Sequence, residues 1–198
     1  MKRRKSRAPF PKMVEQTFLS AVEQTFLSAP AAGGRDAHPP FGLIVFLNRH
    51  SGAPLRPGTT TLRKVFRRAW DLAAHHSSAS EHRSLSVDII FVDDQEIACL
   101  NKSCLGVSGP TDVLSFPMGE WDPERNTYNL GEIVVSFETA KREAGERKIS
   151  VEQELSRYCV HGFLHLLGYD DATETQRSAL FEIQEKGLKA IKNSELLT

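Results

Sequence analysis

The sequence predicts a single α+β domain in which a small mixed β-sheet packs against helices. Short apolar runs typical of strands fall mostly in the first part of the chain, and segments with helical periodicity gather towards its C-terminal end. A chain of 198 residues is long enough for one well-buried domain and too short for two of ordinary size. We therefore predict one domain over residues 41–198 and treat residues 1–40 as an extension.

The extension contains an internal duplication. The segment "VEQTFLSA" at 14–21 is repeated without change at 22–29, and the stretch "PAAGGRDAHPP" that follows resembles a linker. Two copies of eight residues cannot stack into a solenoid. Apolar residues four apart would permit a short amphipathic helix, but the composition favours a disordered, low-complexity segment.

Charge and cysteine usage limit the class of protein. Residues 1–41 carry seven basic and three acidic side chains, a net charge of +4, which leaves −4 on the rest of a chain whose total is zero. A basic tail is usually a solvated end, so composition alone gives little support for a nucleic-acid partner. Three cysteines without a CxxC pair favour a reducing compartment, and no apolar run is long enough to cross a bilayer. We expect a cytoplasmic protein with no membrane partner.

Strands are predicted where apolar residues form short runs rich in β-branched side chains. The four segments are 41–49 (FGLIVFLNR), 85–92 (LSVDIIFV), 112–117 (DVLSFP) and 130–136 (LGEIVVS). The last two are separated by a polar stretch with proline, asparagine and glycine, which predicts two short strands joined by a loop.

Helices are predicted from apolar spacing and from their end signals. The five segments are 59–76, 93–106, 137–148, 150–168 and 173–191. Capping-box pairs open three of them, at Asp93/Glu96, Ser150/Gln153 and Thr173/Gln176, and glycines end two of them, at Gly106 and Gly168.

The segment "HGFLHLLGYDD", residues 161–171, predicts a metal site. His161 and His165 are four residues apart, which places them about 40° apart around a helix and about 6 Å along it, facing the same way. Gly168 can adopt a left-handed conformation and turn the chain back, so that Asp170 or Asp171 approaches the same point. The order of the ligands is that of the metzincin metal site, and this spacing favours Asp171, with Asp170 as a capping or supporting group. A carboxylate is an acceptable third ligand, so we predict one Zn²⁺ held by His161, His165 and Asp171.

The catalytic residue stays open. A zinc peptidase of the HExxH kind has a glutamate directly after its first histidine, and here Gly162 occupies that position. This glycine argues against a metzincin-like peptidase. Asp112 and Glu132, at the ends of predicted strands, are candidates to help a metal activate water.

Three segments together resemble the YbeY family of endoribonucleases, also called ribosomal RNA maturation factors. They are "HGFLHLLGYDD", "GPTDVLSFP" and "LGEIVVS", which follow a "VDDQEIACLN" helix, and the resemblance covers residues from about 41 to 192. It implies an α+β fold, a zinc ion on an HGxLHLxGYDH motif, and single-strand-specific cleavage during maturation of small-subunit ribosomal RNA and ribosome quality control. It also implies ribosomal RNA and the small subunit as partners, with a ribosomal protein or a ribosome-associated GTPase as further candidates.

The chain departs from the family pattern at two positions. Asp171 stands where the family usually has histidine, and Leu105 stands where an N-x-x-[YF]-R pattern usually has arginine. Arginine can grip phosphate through two hydrogen bonds, and leucine cannot. Two functions therefore remain open: a metal-dependent endoribonuclease, or a ribosome assembly factor with a structural metal and little or no nuclease activity.

Overall fold

The computed structural model of the chain describes residues 42–49, 57–73 and 84–195. The elements within these ranges are β1 (Gly42–Arg49), α1 (Thr59–Ala73), β2 (Ser84–Val92), α2 (Asp94–Leu105), β3 (Val113–Asp122), β4 (Thr127–Ser136), α3 (Phe137–Arg147), α4 (Val151–Leu166) and α5 (Glu174–Glu195). The predicted α+β class is confirmed. The duplicated segment at 14–29 lies outside the described residues.

The four strands form one mixed sheet in the order β1-β2-β4-β3. The pairs β1/β2 and β2/β4 are parallel, and β3/β4 is an antiparallel hairpin. Because β3 lies at the edge in this order, one side of it is open to the cleft described below.

The hairpin is longer than the sequence predicts. Instead of a loop between two short strands, the pairing continues to Asp122 and Thr127 and closes in a tight turn. Asp122 Oδ1 stabilises this turn by accepting hydrogen bonds from the backbone N–H groups of Glu124 and Arg125, both at 3.0 Å. The register shifts between Pro117 and Glu120. Proline has no backbone N–H to donate to the neighbouring strand, and such a residue is tolerated in β3 because this strand lies at the edge of the sheet.

Two apolar clusters cover the two faces of the sheet. The larger cluster joins one face to α1, α4 and α5, and in it the rings of Phe66 and Phe163 stack with centroids 4.5 Å apart. The smaller cluster lies on the opposite face under α2 and includes Ile97 and Val134. Because successive strand residues point to opposite faces, Ile133 belongs to the α4 side and Val134 to the α2 side.

The predicted helix ends are confirmed where they frame the site. Ser150 and Gln153 form a reciprocal capping box at the start of α4. Asp93 accepts a hydrogen bond from the N–H of Glu96 at 2.8 Å at the start of α2. Gly106, at φ 75°, ends α2 in the left-handed conformation. These local signals fix where α2 and α4 begin and end, and therefore which side chains reach the cleft between them.

Candidate metal centre

The structure brings the three predicted ligands together. The Nε2 atoms of His161 and His165 lie 3.1 Å apart, and the ligand atoms of His161, His165 and Asp171 all lie within 4.8 Å of one another. Within the described ranges this is the only group of three or more His, Cys, Asp or Glu side chains with such spacing. Two imidazole nitrogens and one carboxylate oxygen are a donor set that zinc accepts, so the residues fit the ion; its binding stays a prediction.

Gly168 returns the chain to the histidines. It has φ 97°, a left-handed conformation that costs glycine little, and it follows the last turn of α4. The N–H of Gly168 donates to the carbonyl of His165 at 3.0 Å, and the N–H of Tyr169 donates to the carbonyl of Leu164 at 3.1 Å. This pair of bonds is a Schellman motif, and it turns the backbone so that Asp171 approaches the face of α4 that carries both histidines.

Each histidine is held through its Nδ1 atom. The Nδ1 of His165 lies 2.9 Å from the backbone carbonyl of Tyr169, and the Nδ1 of His161 lies 3.0 Å from Oε1 of Gln184. An acceptor at Nδ1 leaves Nε2 available to a metal. Burial lowers the pKa of His161, and neighbouring His165 lowers it further, which favours the neutral imidazole that a metal requires. Neither contact could be predicted from the helical spacing of the two histidines.

The loop that carries Asp171 is tied at both ends. Oδ1 of Asp170 accepts a hydrogen bond from the backbone N–H of Asp171 at 2.8 Å, and Nη2 of Arg177 donates to the carbonyl of Asp171 at 3.2 Å. Asp170 therefore supports the turn, and Asp171 is the carboxylate grouped with the histidines.

The three residues open onto a cleft of about 1300 Å³. One wall is formed by α4 and the loop at 168–171, and the other by β3 and the C-terminal end of α2. No lysine or arginine lines this cleft within the described part of the chain. Leu105, 63% exposed, lies at the α2 end of the cleft.

Comparisons with known proteins identify the family of the chain. Residues 51–192 match the family described as Endoribonuclease YbeY. The chain belongs to the YbeY family. It is similar to the Endoribonuclease YbeY of Caldanaerobacter subterraneus subsp. tengcongensis, at 41% identity over 117 residues that cover 54% of this chain and 74% of that protein. It is also similar to the Endoribonuclease YbeY of Moorella thermoacetica, at 40% identity over 139 residues that cover 67% of this chain and 85% of that protein.

Among solved structures, the solution structure of TM1509 from Thermotoga maritima aligns with a TM-score of 0.48 and 27% sequence identity, over 76% of this chain and 91% of that one. In the described ranges of this YbeY-family chain, no helix is both long and apolar enough to cross a membrane.

Asp112 lies in the cleft, as predicted for a residue that assists the metal. Its Oδ1 accepts hydrogen bonds from Oγ1 of Thr111 at 3.0 Å and from the backbone N–H of Val113 at 2.9 Å. Its charge raises the pKa of His161, against the larger effect of burial, which lowers it. The two hydrogen bonds fix the orientation of Oδ1 in the cleft that His161, His165 and Asp171 also line.

Glu132 was expected near the cleft, and that expectation is wrong. It pairs with Asp88 of β2 and lies two residues before Val134 on β4, so its side chain points to the same face as Val134, the α2 side of the sheet. It does not line the cleft. Burial raises the pKa of Glu132 to about 7, and the charge of Asp88 adds to the rise while Arg125 opposes it. The sequence predicted how far along the strand Glu132 lies, but it did not predict the face of the sheet to which the side chain points.

Gly162 has no room for the glutamate of a zinc peptidase. A Cβ atom at this position would lie 2.6 Å from Cγ2 of Ile133 and 2.9 Å from Oγ of Ser115. The same Ser115 hydroxyl donates to the carbonyl of Gly162 at 3.2 Å. Position 162 thus faces the sheet at close range, which agrees with the sequence argument against peptidase chemistry in this YbeY-family protein.

Proposed function

We propose that this YbeY-family protein is a zinc-dependent endoribonuclease that hydrolyses single-stranded RNA. The observation that carries the proposal is the group of His161, His165 and Asp171 at the wall of an open cleft, in a chain whose family and relatives are named for endoribonuclease activity. Three protein ligands with an open side are the arrangement of catalytic rather than structural zinc sites.

The roles of the side chains follow from their contacts. His161 and His165 offer Nε2, and Asp171 offers a carboxylate oxygen. Bound zinc would supply a Lewis acid for a phosphoryl oxygen and would make a nearby water more acidic. Asp112 is the base in this proposal, because Oδ1 is held by two donors and Oδ2 has no hydrogen-bond partner within the described residues. It takes the proton of the attacking water as the new P–O bond forms. The departing ribose oxygen takes a proton from solvent when its bond to phosphorus breaks, and Asp112 then returns its own proton to solvent.

The wider role we propose is maturation of small-subunit ribosomal RNA and ribosome quality control in the cytoplasm. Ribosomal RNA and the small subunit would be the partners, with a ribosomal protein or a ribosome-associated GTPase as candidates for recruitment. Family membership supports this part of the proposal.

A second function has an observation of its own. The cleft lacks lysine and arginine within the described residues, and Leu105 takes the place of the arginine in the family pattern. Weak phosphate binding would follow. These features favour a ribosome assembly factor that keeps the metal for structure and has little or no nuclease activity.

The test uses the purified full chain, its zinc content by elemental analysis, and cleavage of a fluorescent single-stranded RNA. We expect near-stoichiometric zinc and chelator-sensitive cleavage in the wild type. His161→Ala and Asp171→Ala should lose both, whereas Asp170→Asn, which can still accept the hydrogen bond of the turn, should keep both. Cleavage that is equal with and without chelator would refute the metal-dependent proposal. Zinc without any cleavage would leave the assembly factor as the better account.

A further inference from the structure

Gln184 interrupts an apolar stripe of α5. Leu180 and Leu188, one turn before and after it, are 2% and 7% exposed, and residues four apart on a helix share a face. Gln184 lies between them at 4% exposure and is the one buried polar residue of α5 among those the structure describes. A leucine would satisfy this position, and a buried amide lowers stability unless it is hydrogen bonded. The glutamine therefore needs an explanation other than packing.

Its partner supplies that explanation. Oε1 of Gln184 lies 3.0 Å from Nδ1 of His161. An amide oxygen only accepts, so the hydrogen bond requires a proton on Nδ1. The neutral ring then has its lone pair on Nε2, the atom that lies 3.1 Å from Nε2 of His165 and belongs to the group with Asp171. With Oε1 as the acceptor, Nε2 is the atom of His161 that is left to bind a metal.

The two histidines differ in where this acceptor comes from. His165 uses the carbonyl of Tyr169, which the glycine turn after α4 provides. His161 lies one turn earlier, where backbone carbonyls are engaged in the hydrogen bonds of the helix itself. An acceptor for its Nδ1 has to come from another element, and α5 provides it.

We propose that Gln184 is a positioning residue which fixes the tautomer and ring orientation of His161, so that α5 forms part of the metal centre. The part of this proposal that concerns metal binding rests on the proposed function, whereas the part that concerns the tautomer of His161 does not. Without the acceptor, the single N–H proton of the neutral ring can lie on either Nδ1 or Nε2. A ring with the proton on Nε2 must first change to the other tautomer before Nε2 can bind a metal. Loss of such a contact lowers metal affinity by about 10- to 100-fold.

The experiment compares Gln184→Leu, which fits the apolar stripe but cannot accept, with Gln184→Glu, which still accepts. Gln95→Leu is the matched control, because Gln95 is exposed on α2. Zinc affinity is measured by competition with a chromophoric chelator, and thermal unfolding of the metal-free protein reports on folding. Nitrogen-15 NMR at pH 8, with His161 assigned from the spectrum of His161→Ala, reports its tautomer without metal.

We expect Gln184→Leu to bind zinc at least tenfold more weakly and to lose the pure Nδ1–H tautomer, with an unfolding temperature no lower than that of the wild type. Gln184→Glu should keep zinc affinity, and Gln95→Leu should match the wild type throughout. Wild-type zinc affinity together with an unchanged tautomer in Gln184→Leu would overturn the proposal. Weaker binding that accompanies a lower unfolding temperature would also overturn it, since a structural role would suffice. A wild type without zinc affinity would refute the proposed function, and the NMR result would still decide the role of Gln184.

Discussion

Replacing Gly162 by alanine is expected to destabilise the protein although alanine is the better helix former. The added Cβ would lie 2.6 Å from Cγ2 of Ile133, 2.9 Å from Oγ of Ser115 and 3.1 Å from Cγ2 of Val113. All three atoms belong to strands of the sheet, so α4 would have to move away from β3 and β4 or these side chains would have to leave their rotamers.

The magnitude follows from two opposing effects. Overpacking of a close contact costs about 1–3 kcal/mol, and alanine gains about 1 kcal/mol over glycine inside a helix. Because one contact is as short as 2.6 Å, we take the upper part of the first range and expect a net loss of about 1–2 kcal/mol. For a domain of this size that lowers the unfolding temperature by about 2–8 °C. A shift of α4 would also move His161 relative to Asp171, so zinc affinity should fall as well.

Urea unfolding of the metal-free protein measures the effect, with Gly145→Ala in α3 as the matched control. Apart from the neighbouring residues of its own helix, nothing in the described part of the chain lies within 4 Å of a Cβ built at Gly145, so this variant should gain about 0.5–1 kcal/mol from helix propensity alone. The two glycine substitutions should therefore change stability in opposite directions. If Gly162→Ala proved as stable as Gly145→Ala, with an unchanged dependence on urea, the close approach of α4 to the sheet would be refuted.

Three further predictions concern the buried carboxylate, the cleft wall and the base. The unfolded chain releases the Glu132 proton near pH 4.5 and the folded protein retains it to about 7, so the free energy of unfolding should fall by about 3 kcal/mol as pH rises through this window. Urea titrations at pH 5 and 8 should find that fall largely absent in Glu132→Gln, and an unchanged fall would contradict the raised pKa. Leu105→Arg should increase the affinity for single-stranded RNA at least threefold, as measured by fluorescence anisotropy, whereas Val107→Arg, which is also exposed but lies outside the cleft, should not. An equal increase in both variants would show that the added positive charge matters and its place in the cleft does not. Asp112→Asn should slow RNA cleavage by about 10²- to 10⁴-fold with zinc content unchanged, and wild-type rates would exclude it as the base.

Features set by neighbours in sequence could be predicted, because their physical causes are local. The caps at Asp93 and Ser150 depend on side chains three residues from their backbone partners. The return of the chain after α4 depends on one glycine, Gly168, in a conformation that other residues rarely adopt. The convergence of His161 and His165 depends only on the helical repeat.

Features set by contacts between distant segments could not be predicted. The face on which Glu132 lies depends on how β4 is placed between α2 and α4, which a strand pattern does not specify. The longer β3–β4 hairpin was hidden because Pro117 and the polar residues after it suggested a loop. Gln184 is 23 residues from His161, and its one signal in the sequence is a polar residue at the apolar spacing of Leu180 and Leu188.

The two departures from the family pattern change the charge of the cleft in the same direction. Aspartate in place of the histidine that the resemblance implies at 171 adds a negative charge, and leucine in place of the implied arginine at 105 removes a positive one. Three aspartates and no lysine or arginine line the cleft within the described residues, so a bound zinc ion would be its main positive charge. Phosphate binding in the cleft should then depend on the metal more than on side-chain cations.

Removing zinc should abolish RNA binding. Added salt should weaken RNA binding by the metal-loaded protein only slightly, because few lysine or arginine side chains would displace counterions from the RNA phosphates. Anisotropy titrations with and without chelator, across a range of salt concentrations, measure both effects. Strong binding by the metal-free protein with a steep salt dependence would place the RNA on another, basic surface.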